Sequence, residues 1–188
     1  MANGADDFSV DTLTTNWAVQ TGEATGGVSG GAWRILSGSP EGHRRTRETY
    51  LGDHYSEAKV LTTSVFDLSV RVRCQPSLRS YYAAGMDPND FGGAIYRIWK
   101  VSSAGGPTVW TLLSTHSSQA MAVNDVIRLT VSGSTLTLTV NGTALLTTTD
   151  GELTGGAPGL GGASSSGPIA ALDNWSAADM GGGPPPWP

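Results

Sequence analysis

Residues 132–150, SGSTLTLTVNGTALLTTTD, read as two strands folded about Asn141-Gly142, and few architectures accommodate such a segment. Leu136, Leu138 and Val140 alternate with Thr135, Thr137 and Thr139. One side of the strand is therefore apolar and the other hydroxyl-bearing, the pattern of a half-buried antiparallel strand. Asn and Gly both accept the positive φ that a two-residue type I′ turn demands. A chain carrying this hairpin is built on sheets. The passage holds no nucleophile, metal cluster or phosphate loop, so it speaks to fold and not to chemistry.

At 188 residues the chain suits one large all-β domain with a core that needs neither disulfide nor metal. The single cysteine, Cys74, has no internal partner and reads as a small core residue rather than a reactive thiol. A net charge of −5 argues against nucleic-acid binding, which calls for a basic face. No apolar run approaches the roughly 20 residues needed to cross a bilayer. The opening MANGADDFSV lacks the basic and apolar segments of a secretory signal, so the expectation is a protein made in the cytoplasm without export.

Gly, Ser and Thr punctuate short apolar segments throughout, and no stretch sustains a helical period. Strands are predicted near 16–20, 32–36, 44–50, 55–62, 65–74, 80–86, 93–101, 108–114, 126–132, 135–140, 143–149 and 168–177. This density predicts a sandwich or barrel. In FDLSVRVRC, Phe66, Leu68, Val70, Val72 and Cys74 are expected on one face, with Asp67, Ser69, Arg71 and Arg73 on the other. GGAIYRIWKV is apolar on both faces and reads as a central strand. The domain is expected to span 1–178, with 179–188 a Gly/Pro-rich tail. There Pro184, Pro185 and Pro186 impose an extended conformation that carries Trp187 outward, either as a disordered end or as an anchor into a neighbouring subunit.

The segments DDFSVDTLTTNWAVQTG, DHYSEAKV, FDLSVRVRC, GGAIYRIWKV, the hairpin, and GAPGLGGASSSGPIAALDNWSA together resemble the concanavalin A-like lectin/glucanase superfamily. Their order is similar to the laminin-G-like jelly-roll modules of phage virion proteins and bacterial surface proteins. The resemblance covers about residues 6–178, and its motifs are structural ones. It implies a two-sheet antiparallel jelly-roll sandwich with one sheet concave and the first and last strands adjacent. Asp6, Asp7 and Phe8 would then approach Asp173, Asn174 and Trp175. Calcium is common in the superfamily, so Asp6, Asp7 and Asp173 become candidate ligands of a structural calcium site.

Glucan-cleaving members of that superfamily carry a Glu-x-Asp-x-x-Glu or similar signature, because retaining hydrolysis needs two carboxyls about 5 Å apart. Here Glu23, Glu41, Glu48, Glu57 and Glu152 are the only glutamates, and none stands in that arrangement. A polysaccharide lyase would want Arg, His and Tyr around a uronate, types that HRRTRETY supplies at His43, Arg45, Arg47 and Tyr50. Arg44, Arg45 and Arg47, joined by Arg71 and Arg73, form the basic concentration of an acidic chain. They read as an anion or partner patch, or as a solvated face with ion pairs to Glu48, Glu57 and Asp67. Sugar sites stack aromatic rings on pyranose faces and add a few polar groups. Tyr81, Tyr82, Trp99 and Trp110 are candidates, with Asp87, Asn89 and Asp90 in the loop MDPNDFGG. Core filling and an ordinary turn are the competing readings. His43, His54 and His116 have no zinc-type spacing. Asn141 and Asn174 head sequons but read as turn and strand residues.

The leading expectation is a non-catalytic virion surface protein of a phage, a capsid decoration or tail appendage. It would self-associate, as a trimer for example, dock on a capsid or tail protein and touch surface glycans. The alternative is a carbohydrate-binding module of a bacterial surface protein, placed extracellularly. A lyase or glycoside hydrolase stands third.

Overall fold

A computed structural model describes residues 1–36, 40–65, 67–86, 95–104, 106–164 and 168–180. Among these residues, strands make two antiparallel sheets, and the one helix is a four-residue turn, α1 (Leu13–Asn16). In chain order the first sheet takes β1 (Asn3–Asp6), β3 (Gly27–Val28), β4 (Trp33–Ile35), β6 (His54–Val60), β11 (Val126–Ser132), β12 (Thr135–Val140), β13 (Thr143–Thr149) and β15 (Ile169–Asp179). The second takes β2 (Trp17–Val19), β5 (Glu41–Arg45), β7 (Asp67–Cys74), β8 (Tyr81–Met86), β9 (Ile95–Ser102), β10 (Val109–Ala120) and β14 (Ala157–Ala163). Their spatial orders are β13-β12-β11-β6-β15-β4-β3, with β1 also on β15, and β10-β9-β8-β7-β14-β5-β2. This is the two-sheet antiparallel jelly-roll sandwich that the resemblance implies, and of the sandwich and barrel that the strand pattern allows it is the sandwich.

The hairpin forms as expected. Asn141 and Gly142 adopt φ of 51° and 81°, and Val140 faces Thr143 across the turn. Leu136, Leu138 and Val140 are buried against the opposite sheet. First and last strands also pair, with Asp6 opposite Trp175. Between the sheets, Trp33, Trp175, Tyr82, Tyr96, Ile98 and Leu68 join one apolar cluster. Burying each such side chain contributes about 1.5–3 kcal/mol.

The interior also holds charge. Arg45 lies between the rings of Trp17 and Trp175, at 5.2 and 5.4 Å, and donates to Asp6 and Glu48. Pairing is what makes a buried guanidinium tolerable.

Three sequence expectations need correction. β5 runs over Glu41–Arg45, not 44–50, because the Thr46 and Arg47 N–H groups turn away to the carbonyl of Asn16. The alternation of β7 breaks at Arg73, whose φ is 53°. The register to β14 slips there, so Cys74 joins the face of Asp67, Ser69 and Arg71 instead of Leu68, Val70 and Val72. Arg73 tucks the other way and donates to the carbonyls of Gly52, Leu153 and Gly133 and to Asp53. Finally, β14 is an interior strand, between β7 and β5, although its sequence, APGLGGA, has no strand periodicity.

Candidate functional site

The outer face of the second sheet, turned away from the shared core, gathers the aromatic and charged groups. Alternation along β8 sends Tyr81 outward and Tyr82 inward, so the two tyrosines serve different faces. Tyr82 belongs to the core edge, where its hydroxyl donates to Asp150. On the outer face Tyr81, Ala83, Cys74, Trp99 and Val101 form a second cluster with Trp110 packed against it. Trp110 contacts Trp99 at 6.3 Å and Tyr81 at 6.5 Å between ring centroids, and the Arg79 guanidinium lies 5.6 Å from its ring. Trp99 is 3% exposed and Trp110 is half-buried, beside Leu112 at 54%. Trp110 is thus held from behind and open in front. Asp87, Asn89 and Asp90 lie outside the described residues, as do Pro184, Pro185, Pro186 and Trp187.

Beside this shelf lies a charge cluster for which the sequence offers little local signal. The segment following β2 leaves the sheet edge, anchored by the Gln20 N–H to the Gly42 carbonyl, and arches over the outer face. Its first residues are fastened to the β7–β8 turn: the Gln20 side chain donates to the carbonyls of Gln75 and Leu78, and Thr21 to that of Pro76. This strap carries Glu23 onto Arg71 at 2.5 Å, onto Arg79 at 3.1 Å, and under the Tyr81 hydroxyl at 2.5 Å. The Arg71 guanidinium also lies 4.1 Å from the Tyr81 ring. Glycine makes the room: a Cβ on Gly42 or Gly161 would collide with the Arg71 guanidinium.

Burial by itself would raise the Glu23 pKa, but Arg71, the Tyr81 hydroxyl and Arg79 outweigh it and hold the carboxyl below its usual range. Such a group stays ionised, whereas a glycosidic general acid needs a raised pKa. Burial drives the Tyr81 hydroxyl up, and the Cys74 thiol up to about 12, so neither supplies a nucleophile.

The five arginines do not make one surface patch. Arg45, Arg71 and Arg73 are buried, each spent on its own carboxylate: Asp6 and Glu48, Glu23, and Asp53. Arg47 is exposed, and Arg44 points to the outer face. The reason is parity, since neighbours on a strand face opposite ways. The lyase set disperses because β5 ends at Arg45, so that His43 and Arg45 face inward while Arg47 and Tyr50 lie beyond the strand. His43 lies in the core, accepting from Trp33 Nε1, while Tyr50, its hydroxyl pKa raised by burial and Glu48, sits at the rim.

The calcium set does not fit a metal either. Asp6 accepts from the Phe8 N–H, Thr12 Oγ1, Trp17 Nε1 and Arg45 Nη1, which fills both carboxylate oxygens with protein donors. Asp7 accepts from the Ser9 N–H, and Asp173 from that of Asn174. Among the described residues no three His, Cys, Asp or Glu side chains converge as a metal site.

No family model matches the chain, and no curated protein does. Solved structures do match. The carbohydrate-binding module CBM66 from Bacillus subtilis is 12% identical, with 88% of this chain and 93% of that one covered and a TM-score of 0.54. The exoplasmic/lumenal domain of VIP36, bound to Ca2+ and Man3GlcNAc, is 13% identical over 97% and 91% at 0.60. A prokaryotic β-1,3-1,4-glucanase (lichenase) derived from a mouse hindgut metagenome is 9% identical over 96% and 100% at 0.63. These likenesses identify the fold as the concanavalin A-like jelly roll. They lend no support to the expected virion role, self-association, or capsid and tail partners.

Proposed function

We propose that this chain is a non-catalytic carbohydrate-binding module that takes its ligand on the outer face of the second sheet, with Trp110 as stacking platform. The carrying observation is Trp110 itself, backed by Trp99, Tyr81 and Arg79 yet open on its other side. A rigid ring flanked by a few polar groups is what a sugar site requires. Similar folds in CBM66, in VIP36 with Man3GlcNAc and in the lichenase support a carbohydrate ligand. The ionised Glu23, clasped by two arginines, favours binding over hydrolysis.

The test is a glycan array followed by affinity electrophoresis. Saturable binding that Trp110→Ala abolishes, with near-ultraviolet circular dichroism otherwise retained, is the expected outcome. A folded protein that retains no glycan defeats the reading. Release of reducing ends or unsaturated products from a bound polymer would restore the enzymatic alternative.

A further inference from the structure

Arg44 is the outward arginine of β5, and among the described residues no carboxylate pairs with it. Its Nε is buried and has no hydrogen-bond acceptor. A buried guanidinium N–H left unpaired is costly, because it has given up its water and gained no acceptor. The group also opens onto a cleft of about 340 Å³, lined by Thr46, Thr49, Cys74, Pro76 and Ala157 among others. Such a volume falls at the lower end of ligand pockets, about 300–1,000 Å³.

The other charges lining this cleft are already neutralised. Arg45 and Glu48 bond to each other through two contacts, 2.7 and 3.1 Å, and the Tyr50 hydroxyl also reaches Glu48. Arg44 is left with donors and no acceptor, in a cleft whose lining also brings the polar Thr46 and Thr49 and the apolar Pro76 and Ala157. That combination suits an oxyanion carried on a sugar ring: the fork receives the anion and the apolar wall receives the ring.

The cleft shares its face with the Trp110 shelf. Leu112, Trp99, Ala83, Arg71, Gly159 and Arg44 follow one another in register across β10, β9, β8, β7, β14 and β5. Five strand spacings separate the ends of that row, about 24 Å. The strap that covers Arg71 lies between them, so the two are separate sites on one face.

We infer that the Arg44 cleft binds the anionic substituent of an acidic sugar, a uronate carboxylate or a sulfate ester. The inference rests on the carbohydrate reading above and narrows its ligand to acidic glycans.

The test is a titration of 15N-labelled protein with galacturonate, galactose 6-sulfate, galactose and inorganic sulfate, read at the Arg44 Nε resonance. A saturable shift with galacturonate or with galactose 6-sulfate, and none with galactose, supports the site, and the acid that acts names the anion. No shift with either acid overturns it, and an equal response to inorganic sulfate overturns the sugar. In affinity electrophoresis, Arg44→Gln should weaken retention by polygalacturonate or dextran sulfate at least tenfold and leave any neutral glycan unaffected. Unchanged retention by the acidic polymers also overturns it. Loss of all neutral binding while Arg44 still answers galacturonate would defeat the Trp110 platform and leave the anion site standing.

Discussion

The guanidinium of Arg71 donates to the carboxylate of Glu23 across 2.5 Å, and neither side chain reaches solvent. Forty-eight residues separate them in the chain. The pair joins a loop to the centre of a sheet, and it sits on the face proposed to hold the ligand. Buried pairs of this kind contribute little net stability when intact, but they penalise the loss of one member severely.

Glu23→Gln should therefore cost about 3–5 kcal/mol in urea denaturation, because Arg71 would stay buried without its counter-charge. The folded carboxyl titrates below the unfolded one. Its contribution is fully present above the ordinary carboxylate range and disappears as pH falls through the folded value. The variant should lack that part of the acid limb, and an identical acid limb in both proteins would refute the assignment.

Two histidines should make stability fall earlier on acidification. Burial, reinforced by Arg71, pushes His43 down to about 4. Burial likewise takes His54 to about 4, against the opposing bond to Leu51 and with help from Arg73. Unfolded histidine titrates near 6.5, so the unfolded chain binds more protons between these values. Stability is then lost as pH drops from about 6.5 to 4, by up to about 3 kcal/mol per histidine. Long-range 15N spectra at pH 5.5 should still show neutral rings, with His54 protonated at Nδ1, which faces the Leu51 carbonyl, while Nε2 accepts from the Arg73 N–H.

Gly161→Ala should destabilise by about 1–3 kcal/mol through overpacking against the Arg71 guanidinium. Gly155→Ala, where a Cβ meets nothing within 4 Å, should stay within about 0.5 kcal/mol of wild type. Equal melting temperatures for the two variants would show that Arg71 does not lie flat over β14.

The two shelf tryptophans should separate stability from binding. Trp99→Ala removes a side chain that is 3% exposed and should cost about 3–5 kcal/mol. Trp110→Ala removes a half-buried one and should cost no more than about 2 kcal/mol while abolishing glycan retention. If denaturation shows the reverse order, Trp110 belongs to the fold and not to the ligand.

Period-two patterns made most of the sheets legible: β11, β12 and β13 stand where alternation and Asn141-Gly142 place them. What escaped was decided by tertiary neighbours. β14 has glycines where the Arg71 guanidinium and Cys74 Sγ need the space, and a glycine run has no period to read. The strap escaped because nothing local marks Glu23 as the partner of Arg71 and Arg79. Of the candidate site residues, Tyr81, Trp99 and Trp110 do converge, whereas Tyr82 looks inward. The clustered arginines misled because composition registers how many charges a strand carries and not which side each one faces.

Arg73 decides that last point for the end of β7. One left-handed residue transposes odd and even, so positions before and after it obey opposite rules of inside and outside. Deleting or inserting a residue upstream of it would shift side chains that a counterpart downstream could not follow. Cys74, the last residue of β7, owes its place on the ligand face to a single backbone torsion.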